Sequence, residues 1–332
     1  MLFVDNRGIT DARINLALEE HVLRNAVTDE DLLLFYVNAP AIIIGRNQNT
    51  IEEINPPIVA ERGIRVVRRI SGGGAVYHDL GNLNFSFMTR DVSGHFSRYD
   101  RFNQPVIEVL RSLGVPAELG GRNDILADGR KISGNAQFAG TQRMFSHGTL
   151  LFDSNLDDVT EALRPRPGKV ESKGVKSIRS RVANISEFIT KPLSVDELRL
   201  CIVERIFGTR EPARVPTLAL TDADWAAVHA LVDRRYGAWD WNYGENPPSN
   251  VQRAQRFPGG EIDARIDVQA GRIAALRIFG DFMGRGDVRD IEERLRGVRY
   301  DRDAIVDAVG DLELSHYFGA ISHDEALAVL CP

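Results

Sequence analysis

The chain has 332 residues, 43% of them hydrophobic and 27% charged, a length and balance that suit a folded protein of about two domains and exclude extensive disorder. Its 41 basic and 47 acidic side chains leave a net charge of −6, which argues against a dedicated nucleic-acid binder. Two distant cysteines, Cys201 and Cys331, exclude a disulfide scaffold and lack metal-ligand spacing.

No basic leader with a long apolar run opens the chain, and its apolar stretches, such as 41–44, are too short to span a bilayer; a cytoplasmic protein is expected. A helix is predicted over 12–26, with Ile14, Ala17, Leu18 and Val22 on one face. Strands follow at 32–37 and 41–45, then at 64–69, which runs straight into Ser71, Gly72, Gly73 and Gly74. Beyond the glycines the pattern stays extended over 75–77 and 82–88. A helix over 104–113 stops at Gly114 ahead of Pro116. Strands and loops alternate through 124–126, 131–137 and 147–152. Residues 164–181 hold Pro165, Pro167, Gly168 and Gly174 and seven basic side chains against Glu171, and read as a loop.

Capping-box pairs Ser194/Glu197, Thr221/Asp224 and Ser322/Glu325 mark three later helix starts. Cys201 falls in the first of these helices and is expected to be buried and inert. The aromatic stretch 239–248 closes a first domain. Beyond it come a strand over 261–268, a turn at Ala270-Gly271, a strand over 273–279 and helical spacing of Val288, Ile291 and Leu295. Domains of 1–248 and 249–332 are expected, the second a small α+β unit, with the Gly- and Pro-containing stretch 243–258 as a hinge.

The strongest local feature is residues 68–79, RRISGGGAVYHD. Three consecutive glycines weaken a sheet, and they make sense where a ligand approaches the backbone or where successive N–H groups form an anion nest. The alternative is a wide turn with no ligand. The spacing lacks the third glycine of a dinucleotide fingerprint, no Walker A sequence is present, and a glycine loop between two strands argues against both. In a second feature, 120–137, Asp124 heads a short apolar stretch and Lys131 follows the turn Asp128-Gly129, just before Ile132-Ser133-Gly134. Lys131 either aims its ammonium into a cleft or is an ordinary solvated lysine at a hairpin end. His78 and His147 either line the cleft or serve the core. No histidines have H-x-x-x-H spacing, and there is no G-x-S-x-G elbow.

These segments resemble the lipoate–protein ligases. The matching stretches are 42–48 (IIIGRNQ), 68–81 (RRISGGGAVYHDLG), 121–124 (GRND), 129–137 (GRKISGNAQ), 147–153 (HGTLLFD) and 173–184 (KGVKSIRSRVAN), in matching order and spacing. Residues 239–246 and Gly280-Asp281-Phe282 extend the resemblance nearly to the end of the chain.

The resemblance implies an α+β fold: a catalytic domain of the biotin and lipoate ligase type, related to class II aminoacyl-tRNA synthetases, and a small C-terminal α+β accessory domain. It implies two half-reactions. Lipoate and ATP give lipoyl-adenylate and pyrophosphate; the lipoyl group then passes to a lysine of an acceptor domain, in 2-oxoacid dehydrogenase E2 subunits or the glycine cleavage H protein. ATP and Mg²⁺ serve as co-substrate and metal, with no permanently bound prosthetic group. Residue by residue, the ATP and adenylate contacts fall on Arg69, Gly74, Ala75, Val76, Tyr77 and Lys131, with Asp124 and Lys176 beside them. The lipoate contacts fall on Arg69, Ser71, Gly72, Gly73, Gly74, His78, Lys131 and His147. Residues 69–75 match the family's lipoate-binding loop and 173–181 its adenylate-binding loop.

The chemistry agrees with that implication. A carboxylate is a poor acyl donor until AMP is installed as leaving group, and holding two anions together demands cationic screening, for which Lys131 and Arg69 are suited. Asp124 is the acid expected to hold Mg²⁺ on the phosphates. A monomer with neither nucleic-acid nor membrane partners is expected. Three rivals stand beside this reading. An octanoyl or lipoyl transferase would need a cysteine thioester, but neither cysteine lies beside the Lys131 or glycine motifs. A biotin ligase has a different glycine–arginine motif. A non-catalytic lipoate-binding relative would have lost Arg69, Asp124 or Lys131.

Overall fold

The computed structural model describes residues 1–90, 92–121, 123–163, 181–243 and 250–332. Its strands are β1 (Leu2–Val4), β2 (Leu32–Val37), β3 (Ala41–Ile44), β4 (Arg65–Arg68), β5 (Val76–His78), β6 (Asn82–Thr89) and β7 (Ala117–Gly120). They continue with β8 (Asp124–Ala127), β9 (Arg130–Ala139), β10 (Met144–Leu151), β11 (Val251–Phe257), β12 (Gly260–Gln269) and β13 (Arg272–Gly280). The fold is mixed α and β, as expected from the sequence.

Seven strands form one sheet in the order β1-β2-β6-β10-β9-β8-β7. The β1–β2 pair is parallel and the rest antiparallel. Strand β2 (LLLFYV) shows no alternation because both of its faces are buried. One face, with Leu33, Phe35, Phe85 and Phe87, packs under the helices Tyr99–Ser112 and Val195–Phe207; each such side chain, fully buried, contributes about 1.5–3 kcal/mol. Across the strands, Leu34, Ser86 and His147 form a row on the other face.

The helix Ala12–Asn25 is capped by Asp11, whose carboxylate accepts the Arg13 N–H. It differs from the one-sided helix expected: residues 15–23 are all buried, including Asn15, Glu19, Glu20 and His21. The expected helix over 104–113 begins earlier, at Tyr99, because the apolar face of Phe102 and Val106 continues across Pro105. The three capping boxes form as expected, and Gly114 ends its helix at φ 90°. Cys201 is only half-buried, on a helix flank beside Arg210, so the expectation of full burial fails there.

A three-stranded antiparallel sheet, β11-β12-β13, packs Ile262, Ala264, Ile266 and Ile278 under the helices Arg289–Leu295, Arg302–Val309 and His323–Leu330. Strand β11 takes up the second half of the expected hinge 243–258. It is a mostly exposed edge strand, so it lacks the alternation that marks β12. A third sheet has the order β4-β3-β5, with β3 and β5 antiparallel.

The described chain divides into two compact units. One comprises Met1–Ile43, Ile54–Val67 and Val76–Asn242; the other comprises Ile44–Glu53, Arg68–Ala75 and Tyr243–Pro332. The glycine loop thus packs with C-terminal residues. Among the described residues no helix is long and apolar enough to cross a membrane.

Candidate active site

In the first unit, β8 and β9 form a hairpin whose turn residues Asp128 and Gly129 both have positive φ, 48° and 73°. The hairpin sets Asp124 directly opposite Gly134, and the Asp124 Oδ1 lies 2.8 Å from the Lys131 Nζ. Gly134 makes this possible: a Cβ there would stand 2.9 Å from Nζ and 3.0 Å from Cε. Lys131 is therefore an oriented ammonium paired with Asp124, about one-third exposed, and not a freely solvated side chain. Its main chain is equally fixed. The Lys131 N–H donates to the Arg181 carbonyl at 2.7 Å, and its carbonyl accepts the Ala183 N–H at 3.0 Å.

His147 projects from β10 toward the buried helix. Its Nδ1 lies 3.0 and 3.1 Å from the two carboxylate oxygens of Glu19, and its ring stacks on Phe145 at 4.5 Å. His78, at the end of β5, belongs to a buried amide ladder. Asn6 donates to Asn15, Asn15 to Asn38, and Asn38 to the His78 Nδ1 at 2.9 Å, which places the ring proton on Nε2. Glu19 and the asparagines were invisible to motif reading, because their partners are distant in sequence. Tyr77 donates to Asp158 at 3.3 Å, and burial, reinforced by Asp158 and Asp79, pushes its phenol pKa upward. The Asp79 carboxylate accepts the N–H groups of Gly81 and Asn155, fixing the turn after β5.

In the second unit the glycine loop is stitched by its own arginines. Arg69, nearly buried, donates to the Ser71 hydroxyl at 3.0 Å and to the Gly72 and Gly74 carbonyls at 2.7 and 2.8 Å. Arg68 donates to the carbonyls of Gly45, Arg46 and Gln48 and to the Thr50 hydroxyl. Burial, then the charges of Arg277, Arg289 and Arg69, bring the Arg68 pKa down to about 10, which leaves it cationic at neutral pH. The glycines have reasons inside the protein. A Cβ on Gly45 would sit 1.9 Å from the Gly73 carbonyl oxygen, and Gly73 has φ 93°.

The structure thus brings Lys131 together with Asp124, and Arg69 with Ser71, Gly72 and Gly74. His78 has Asn38 as a buried partner, and His147 has Glu19. Lys176 and most of the stretch 173–181 lie outside the described residues. Among the described residues no three His, Cys, Asp or Glu side chains gather to hold a metal. A lone, partly exposed carboxylate such as Asp124 still suits Mg²⁺, which keeps water and phosphate oxygens as its other ligands.

A model of the lipoyl protein ligase A/B catalytic domain matches residues 11–207, and one of the bacterial lipoate protein ligase C-terminus matches residues 246–330. The chain belongs to the lipoate–protein ligase family. It is 53% identical to lipoate-protein ligase LplJ of Bacillus subtilis (strain 168) over 330 residues, covering 99% of this chain and 100% of that protein. Among solved structures it is similar to a bi-partite lipoate protein ligase studied with its E2 lipoyl domain, from Thermoplasma acidophilum. That similarity has a TM-score of 0.63 at 30% identity and covers 75% of this chain and 98% of that one. A lipoate-protein ligase A bound with ATP matches with a TM-score of 0.60 at 29% identity, over 73% of this chain and 98% of that one. Membership of this ligase family makes the chain an enzyme, and it accounts for the α+β fold.

Proposed function

We propose that this ligase joins lipoate to acceptor domains in two steps. In the first, a lipoate carboxylate oxygen bonds to the α-phosphorus of ATP, the bond to the bridging oxygen breaks, and pyrophosphate leaves. In the second, an acceptor lysine amine attacks the lipoyl carbonyl carbon, AMP departs, and the amine loses its proton. The observation that carries this reading is the oriented Lys131 ammonium, held by Asp124 in the space left by Gly134. A fixed cation there screens carboxylate from phosphate while the new bond forms, and no protein nucleophile is needed.

In this reading Lys131 is the catalytic residue. Arg69, Gly74, Ala75, Val76, Tyr77, Lys131, Asp124 and Lys176 bind ATP and the adenylate. Arg69, Ser71, Gly72, Gly73, Gly74, His78, Lys131 and His147 bind lipoate. When bound, Mg²⁺ would neutralise phosphate charge, with Asp124 as its carboxylate ligand. The acceptors are the lipoyl domains of 2-oxoacid dehydrogenase E2 subunits and the glycine cleavage H protein; a T. acidophilum relative studied with its E2 lipoyl domain supports the first. We place the domain boundary between 248 and 249 and expect a cytoplasmic monomer. The test is direct: lipoate and ATP together should release pyrophosphate, and an added E2 lipoyl domain should gain one lipoyl group on a lysine. Acceptor modification without pyrophosphate release, through an acyl-enzyme on Cys201 or Cys331, would replace the ligase reading with the transferase one.

A further inference from the structure

The turn 280–286 (GDFMGRG) carries three glycines that the adenylation chemistry does not use. Two of them let the turn press onto the helix Leu314–Phe318: a Cβ at Gly284 would lie 1.7 Å from the Tyr317 carbonyl oxygen, and one at Gly286 would lie 2.5 Å from the Tyr317 ring. The N–H groups of Arg285 and Gly286 both donate to the His316 carbonyl, at 2.7 and 2.9 Å. Phe282 is fully buried and meets Phe318 edge-on at 5.0 Å between centroids. This side of the turn is rigidly seated.

Its other side meets the glycine loop, within the same compact unit. A Cβ on Gly72 would stand 2.4 Å from the Phe282 carbonyl oxygen, and one on Gly73 would stand 3.0 Å from the Met283 Cε. The Gly280 N–H donates to the Asn47 carbonyl at 2.6 Å, and Arg46 pairs with Asp287. Residues 44–53 are bound in turn to the loop, through the Arg68 guanidinium and the Arg46 N–H, which donates to the Ser71 carbonyl. Two segments, 44–53 and 280–287, therefore contact both the loop and each other.

We propose that the turn at 280–287 is a positioning element for adenylation: the Phe282–Met283 main chain, the Met283 thioether and the Asp287 carboxylate set the conformation in which residues 69–75 receive substrate. The inference rests on the ligase reading above. At Gly72 the space a Cβ would take is filled by the Phe282 carbonyl, so the glycine there is required by a contact within the protein as well as by a ligand nest. Met283 and Asp287 act through the loop and are positioning residues.

The test uses the full chain and three variants: Met283→Ala, Asp287→Arg, and the exchanged pair Arg46→Asp with Asp287→Arg. Pyrophosphate release is followed against lipoate concentration, and amide exchange at 69–75 is followed without ligand. The KM for lipoate should rise about tenfold in Asp287→Arg, the scale on which residues in contact couple. Exchange at 69–75 should quicken in both single variants, and the exchanged pair should return both readouts toward wild type. Thermal midpoints that fall while KM and exchange stay at wild-type values would overturn the proposal. A folded exchanged pair no better than Asp287→Arg would do the same; if that pair does not fold, Met283→Ala decides on the same two readouts. A wild-type chain that releases no pyrophosphate would sink the ligase reading, and the ligand-free exchange would still decide whether the turn fixes the loop.

Discussion

Lys131, Gly134 and Glu20 show how differently single residues contribute. Removing the ammonium in Lys131→Ala should raise the adenylation barrier by about 3 kcal/mol or more. The readout is lipoate-dependent pyrophosphate release at an unchanged melting temperature; normal turnover would remove Lys131 from the chemistry. Gly134→Ala makes a sharper contrast. Its nearest neighbours are the movable end of the lysine, so the fold should lose under about 1 kcal/mol. The displaced ammonium should nevertheless lower adenylation at least about tenfold, and equal losses in both measurements would contradict this. Glu20 is structural. Burial pushes its pKa up, but bonds and charge from Arg235, with Tyr236 and Arg24, outweigh burial and hold it below the usual carboxylate value. An acid depressed in the folded state contributes stability that is fully present above its unfolded pKa of about 4.3 and is lost as pH falls toward the folded value. Glu20→Gln should therefore cost about 2 kcal/mol at pH 7, the scale for hydrogen bonds to a charged group. Urea midpoints should also fall less between pH 6 and pH 3 in the variant than in wild type; parallel curves would refute this.

Among the elements, what the sequence made legible depended on how much of the cause was local. The capping boxes at Ser194, Thr221 and Ser322 and the turns at Asp128-Gly129 and Ala270-Gly271 were readable because three or four neighbouring residues determine each one. The strands flanking the glycine loop were readable as apolar runs. Strands β1, β7 and β11 were not: each is an edge strand of its sheet, with half of β7 and most of β11 exposed. The helix Ala12–Asn25 was found by its spacing. Its inward-facing Glu19 and Glu20 were missed, because their partners lie 128 and 215 residues away, at His147 and Arg235. For the same reason the glycine run suggested a ligand but not Phe282, which fills the space at Gly72 from the far end of the chain.

For the molecule as a whole, the cysteines bear on which reaction it runs. Cys331 is buried in the C-terminal core, and burial pushes its thiol pKa upward despite Arg302 and Arg253, so it is held as a poorly nucleophilic thiol. Cys201 sits half-buried beside Arg210, remote in sequence from the chemistry-bearing motifs. The double variant Cys201→Ser/Cys331→Ser should keep its pyrophosphate release and acceptor lipoylation, with a stability loss of about 1–2 kcal/mol from the hydroxyl buried at 331. Abolished ligation in a folded double variant would reopen the transferase route.

The fixed main chain of Lys131 has a consequence for chain continuity. Leu163 bridges to Ile54 and Val182 bridges to Lys131, so the described residues on either side of 164–180 are pinned by separate partners. A chain cut once between 164 and 180 should stay together as a two-fragment complex on size-exclusion chromatography, and separate elution of the two fragments would contradict this.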